Sequence, residues 1–179
     1  MNQTPIVKLC YVSLFAALTA IGGFISVPIP FSPVPITLQI TFTAMAGLVL
    51  GSRYGALSQL IYLLLGALGL PVFSNRTGGF AMLYGPTAGF LWGFVICAFV
   101  IGLIQEKRKF TQPGAIFLTQ VIGLIITYFC GVIGLMLVLK FNALQAFSTG
   151  VAPFILLDTI KLVIATLLVI RLQKAKIGI

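Results

Sequence analysis

The sequence predicts an all-α membrane protein, a single integral domain over residues 1–179 folded as a bundle of six transmembrane helices with both termini in the cytoplasm. Three observations predict it. First, 60% of the residues are hydrophobic and 7% are charged, with a mean hydropathy of +1.18. A soluble domain carries about 25% charged residues to cover its surface, so most of this chain faces something other than water. Second, the apolar residues fall into runs of membrane-spanning length. Third, the basic residues sit between those runs and concentrate on one side of them. The same composition excludes a disordered chain, a disulfide scaffold and an ordinary soluble enzyme, because too few polar groups remain to solvate an exterior.

A hydrocarbon core about 30 Å thick takes roughly 20 helical residues to cross. The runs 8–27, 37–51, 54–70, 81–104, 115–139 and 153–170 qualify, the second and third being short. Lys8 opens the first. A secretory signal peptide is the alternative there, since Ala16, Ala17 and Ala20 are small, but the run is long for one and more membrane sequence follows directly. Pro28, Pro30, Pro33 and Pro35 form a dense loop before the second run, Arg53 divides the second from the third, and Pro71 ends the third.

Of 11 basic residues, eight (Lys8, Arg53, Lys107, Arg108, Lys109, Arg171, Lys174 and Lys176) fall on the inner side when the N-terminus is cytoplasmic. Only Arg76 and Lys140 then lie outside, and Lys161 lies within a span. The opposite orientation would contradict the positive-inside rule. The scatter of these cations between apolar runs reads as topology and gives no sign of nucleic acid as a partner. On this orientation the proline loop, the loop 74–79 and the loop 142–150 share the outer face.

The sixth run carries Asp158 and Lys161, three positions apart and therefore on one helical face. Each ionised side chain near the centre of a membrane helix costs roughly 2.5 to 3.5 kcal/mol. At about 1.5 Å per residue from Pro153, Asp158 lies roughly 7 Å and Lys161 roughly 12 Å in from the outer end. The pair is either a structural lock between helices or a ligand site entered from outside, and an intramembrane pair points to the second. Asn75 and Arg76, in a loop containing Gly78 and Gly79 on the same outer face, add a donor–acceptor amide and a fork suited to a carboxylate.

Gly85, Gly89 and Gly93, like Gly47, Gly51 and Gly55, recur every four residues and predict close helix packing. Cys10, Cys97 and Cys130 lie in apolar runs without metal or redox spacing. The chain has no histidine and no phosphate-binding G-x-x-x-x-G-K-[ST] loop. No metal or cofactor site is therefore expected, no catalytic role is assigned, and ATP cannot be bound through that loop.

These residues carry a resemblance. Residues 33–39 (PVPITLQ), 69–73 (GLPVF) with Gly78 and Gly79, 85–94 (GPTAGFLWGF), and Pro153 and Phe154 through Asp158 and Lys161 together resemble the BioY family, nearly the whole chain in order. That family comprises the biotin-binding S components of energy-coupling factor (ECF) transporters. The resemblance implies capture of biotin from outside, and delivery with a transmembrane coupling protein and two ATP-binding cassette ATPases in the bacterial cell membrane. Biotin presents two ureido N–H donors, a carbonyl, an apolar thiophane ring and a carboxylate. Asp158 suits a ureido N–H, Asn75 or Gln39 can complete that ring's hydrogen bonds, and Lys161 or Arg76 can meet the carbonyl or the carboxylate. Tyr84 and Phe154 are candidates to enclose the thiophane. Ala16 and Ala20, with Ser13 and Ala17 adjoining, resemble the face on which S components dock the coupling protein. The competing reading is a secondary transporter of a small carboxylated solute with Asp158 carrying a coupling proton; inverted repeats would favour it, and none is visible.

Overall fold

The computed structural model describes residues 5–175 and places them in six helices and one short strand pair. In chain order these are α1 (Pro5–Phe24), β1 (Ser26–Val27), β2 (Ile36–Thr37), α2 (Gln39–Ala67), α3 (Ala88–Arg108), α4 (Pro113–Leu139), α5 (Ala143–Gly150) and α6 (Ile155–Lys174). Single 3-10 turns at Ser74–Arg76 and Phe80–Leu83 fill the connection between α2 and α3. β1 and β2 pair antiparallel, Ser26 opposite Thr37, and so pinch the base of the proline loop.

Helix α2 is not one rod. At Gly51 the backbone leaves the helix with φ 79° and ψ −174°, a conformation open to glycine because it has no Cβ. The chain doubles back there. Gln39 Nε2 donates to the Tyr62 hydroxyl, and Thr43 donates to Gln59 Oε1 at 3.1 Å; a Cβ built on Gly55 would lie 3.0 Å from the Gly47 Cα. In a straight helix residues 39 and 62 would be about 35 Å apart. The two limbs, 39–50 and 52–67, are therefore an antiparallel hairpin with its bend at Gly51. Glu106 secures the bend from α3: its Oε1 accepts from Ser52 N at 2.8 Å and its Oε2 from Ser52 Oγ at 2.9 Å. That carboxylate caps the start of the returning limb, where free N–H groups and the helix dipole favour negative charge.

Small residues let the helices approach at several of the expected positions, whereas Gly85 lies ahead of α3 and meets only its own turn. Gly47 lies against the Ala98 carbonyl and Ile101 of α3, and Gly89 against the Cys130 carbonyl and Gly134 of α4. Hydroxyls and amides serve as interhelical links in the interior: Gln59 joins Thr43 to Thr19 of α1, and Gln120 of α4 donates to Thr166 of α6 at 2.6 Å. The core around them is aliphatic and aromatic, with Val12, Leu50, Tyr62, Ile101, Ile116 and Leu162 fully buried.

The expected runs map onto these elements with shifted ends. The fourth begins seven residues later than expected, at Ala88, because residues 80–83 form a 3-10 turn ahead of Gly85 and Pro86, and the residue before a proline is driven out of the helical region. The sixth extends past 170 to Lys174 and takes Arg171 and Lys174 into its last turn. The segment 142–150, expected as loop, holds α5, nucleated by a reciprocal capping box between Asn142 and Gln145.

Four helices, α1 to α4, are long and apolar enough to cross a membrane, and α5 with α6, bent by 51°, makes a fifth if taken as one span. Basic residues gather at one end of the bundle: Lys8 of α1 lies over the Tyr54 ring just past the bend, and Gln173 of α6 reaches the Phe110 carbonyl beyond α3. Lys176 lies outside the described residues.

Candidate substrate-binding site

At the other end, the proline loop, the start of α2, the N-terminal halves of α3 and α6, the middle of α4 and the end of α5 surround a cavity of about 60 Å³. Its walls are mostly apolar, with Ile40, Phe90, Leu91, Phe94, Leu124 and Phe154 contributing side chains. Polar groups enter from few directions, chiefly Gln39, Tyr128 and Asp158, with threonines and Ser74 beside them. An apolar chamber with a few convergent polar groups is the usual form of a small-molecule site.

Asp158 is 7% exposed and fully engaged by the protein on one side. Its Oδ1 accepts from Lys161 Nζ at 2.7 Å and its Oδ2 from the Tyr128 hydroxyl at 2.7 Å. A carboxylate has about four lone-pair sites, so two remain for a ligand's N–H groups. Lys161 is placed one layer back from the cavity wall. It spends a second donor on the Thr37 carbonyl at 2.7 Å, tying α6 to the strand pair below the proline loop. The pair is thus both a lock between elements and the charged corner of a cavity. Gln39 is held by its Nε2 donation to Tyr62, which leaves Oε1 as its accepting end.

The loops over the cavity are fastened. Ser32 Oγ donates to the Thr149 carbonyl at 2.7 Å, joining the proline loop to α5, and Val34, Pro35 and Gly150 on either side of this link line the cavity. Ser26 and Asn75 bind each other reciprocally: Ser26 Oγ donates to Asn75 Oδ1 at 3.1 Å and accepts from Asn75 N at 2.9 Å.

Of the residues singled out from sequence, the structure brings Asp158, Gln39 and Phe154 onto the cavity wall and Lys161 directly behind it. Others stand elsewhere. Asn75 is exposed, with its side chain engaged by Ser26 while its neighbour Ser74 lines the cavity. Arg76 is exposed and lies 4.4 Å over the Phe24 ring, a cation–π contact at the rim. Tyr84 is 69% exposed and leans on Phe80, away from the walls. Ala16, at 1% exposure, faces the bundle interior with Val12 and Thr19, and Ala20 is half-buried against the same core. The small residues that α1 turns outward are Ser13 and Ala17.

Tyr128 and the aromatic pair Phe90 and Phe94 were not found from sequence. Tyr128 did carry a signal, being the sole tyrosine in the otherwise strongly apolar α4, where a buried hydroxyl needs a partner.

Comparison with known proteins gives the family of the chain. The BioY family matches residues 1–177. The chain belongs to the BioY family. Among its BioY relatives is the biotin transporter BioY of Thermotoga maritima, 44% identical over 95% of this chain and 98% of the relative. The probable biotin transporter BioY of Pyrococcus horikoshii is 45% identical over 90% of this chain and 93% of that one. In three dimensions the BioY fold seen here matches a crystal structure of the S-component for biotin from an ECF-type ABC transporter with a TM-score of 0.90, at 32% identity, covering 97% of this chain and 94% of the other. These neighbours are transport proteins, and the chain is a multi-pass membrane protein of their kind.

Proposed function

We propose that this chain is the biotin-capturing S component of an ECF importer, taking the vitamin from the extracellular side of the bacterial cytoplasmic membrane. The observation that carries the reading is the buried Asp158, held by Tyr128 and Lys161 at the wall of an otherwise apolar chamber. Its free lone pairs suit one ureido N–H, and Gln39 Oε1 suits the other. The thiophane then lies among Phe90, Phe94 and Phe154. Asn75 and Arg76, at the rim, are placed to meet the ligand on entry and the carboxylate end of the bound molecule.

The membrane arrangement follows. Taking the two limbs of α2 as separate crossings gives six spans, with both termini on the side of the basic end. By the positive-inside rule that end is cytoplasmic, and the cavity opens outward. With no phosphate-binding loop of its own, the chain depends on a transmembrane coupling protein and two ATPase subunits for energy. Lipid supplies no hydrophobic drive between helices, so close packing over small residues must hold that partner; the exposed Ser13 and Ala17 of α1 are the surface suited to it.

Uptake separates this reading from a self-sufficient carrier. Liposomes holding the protein together with the coupling protein, ATPases and ATP should accumulate biotin against a gradient. Accumulation by the protein alone, driven by a proton gradient, would contradict the reading.

Lys161 gives a second test. Lys161→Met leaves Asp158 as an uncompensated buried charge and frees the Thr37 carbonyl, so biotin affinity should fall about tenfold or more. Lys140→Met should leave it unchanged, because Lys140 is exposed at the C-terminal end of α4, where solvent screens its charge. Equal affinities for the two variants by calorimetry would reduce Lys161 to a structural role.

A further inference from the structure

The cavity leaves the opposite end of the bundle unexplained. There the Phe110 carbonyl, in the turn between α3 and α4, accepts from Gln105 Nε2 at 2.9 Å and from Gln173 Nε2 of α6 at 3.4 Å. The second bond ties the last turn of α6 to the α3–α4 turn, and the first holds that turn against α3. They thereby bring to one corner the exposed cations Lys107, Arg108 and Lys109 from one side and Arg171 and Lys174 from the other. None of the five has a carboxylate within ion-pair distance among the described residues, where Asp158–Lys161 is the one salt bridge. Glu106, the acid nearest in sequence, is already engaged by Ser52.

Below this corner the surface changes character. Helices α4 and α6 pack on each other through Gln120, Leu162 and Thr166, and on their outward faces they expose Leu118 and Ile122, and Leu167 and Leu168. A cluster of unpaired cations directly above an apolar wall is complementary to a molecule with an anionic head and hydrocarbon tails. A soluble anion would use only the first feature, and an acidic protein surface would leave the apolar wall uncovered.

We propose that this corner binds an anionic phospholipid, its phosphate held by the cations of the α3–α4 turn and the end of α6, its acyl chains against α4 and α6. Each Lys or Arg near a negatively charged membrane surface adds to its attraction for anionic lipid, so several acting together select strongly for charge. The inference rests on the bundle crossing a membrane and does not depend on what the outer cavity binds.

The test is lipid retention measured by mass spectrometry of the intact protein released from micelles containing defined amounts of phosphatidylglycerol or phosphatidylcholine. The intact chain should retain phosphatidylglycerol about tenfold or more in preference. Arg171→Gln with Lys174→Gln should cut that preference about tenfold, and adding Lys107→Gln, Arg108→Gln and Lys109→Gln should bring the two lipids to parity. Lys140→Gln, at the far end of α4, should change nothing. All five corner residues are exposed, where substitutions leave stability nearly unaltered, and unchanged thermal unfolding checks this. Three results would overturn the proposal: equal retention of both lipids by the intact chain, preference surviving in the fivefold variant, or displacement of the lipid by millimolar glycerol phosphate, which would mark a soluble-anion site. Loss of assembly with the ATPase subunits at unchanged lipid preference would also overturn it and assign the corner to a protein contact.

Discussion

Asp158→Ala is expected to weaken biotin binding by about 1 to 3 kcal/mol, up to roughly 100-fold in Kd. The substitution removes the acceptor proposed for a ureido N–H, frees the Tyr128 hydroxyl and leaves the part-buried Lys161 without its counter-charge. The last effect lowers stability as well, because an unpaired buried charge costs about 3 to 5 kcal/mol. The two consequences separate in a double variant. Adding Lys161→Met to Asp158→Ala removes the orphaned charge and should recover much of the lost thermal stability, while biotin binding stays weak because the acceptor is still missing. Calorimetry on both variants beside the intact chain checks this. Binding restored along with stability would mean that Asp158 acts only as a lock between α6 and its neighbours.

The second large effect concerns the fold that builds the cavity. A Cβ at position 102 would lie 2.3 Å from the Gly51 carbonyl carbon and from Ser52 N. Both are backbone atoms at the hairpin bend, with no rotamer by which to move aside. Gly102→Leu must push α3 away from the bend and break both bonds between Ser52 and Glu106. Forced overpacking costs about 1 to 3 kcal/mol and sometimes more, and the loss of the cap adds about 1 kcal/mol. Thermal unfolding in detergent should therefore show a clear drop. Gly114→Leu is the matched control, since a Cβ there meets nothing within 4 Å and replaces a poor helix former near the start of α4. Equal unfolding temperatures for the two variants would contradict the packing described at the bend.

How far the sequence reaches can be followed residue by residue. The boundary between the second and third runs at 51–54 coincides with the bend at Gly51, because a glycine followed by an arginine marks both a backbone break and a water-facing end. Asp158 and Lys161 were visible for an energetic reason: charges in a membrane run need a purpose. Which face of a helix points inward was far less visible. Ser13, Ala16, Ala17 and Ala20 are all small, and on α1 they span two neighbouring stripes; tertiary packing alone turns Ala16 in and Ser13 and Ala17 out. Phe90 and Phe94 line the cavity while Phe99 and Phe129 face outward, and since lipid and protein interior are equally apolar, hydrophobicity cannot tell these positions apart. Asn75 illustrates a local limit. It adopts φ 57° in its turn, a left-handed conformation that asparagine tolerates, and its side chain is directed to Ser26 by a strand pair of two residues that no periodicity announces.

The most direct test of the central claim is the identity of the small molecule that the purified protein retains. Extraction of the protein from cells grown with biotin, followed by mass spectrometry of the released ligand, should yield biotin at about one molecule per chain from the intact protein, and little from Asp158→Ala. A different vitamin or carboxylated solute in that fraction, with no measurable binding when biotin is added to the emptied protein, would contradict the account.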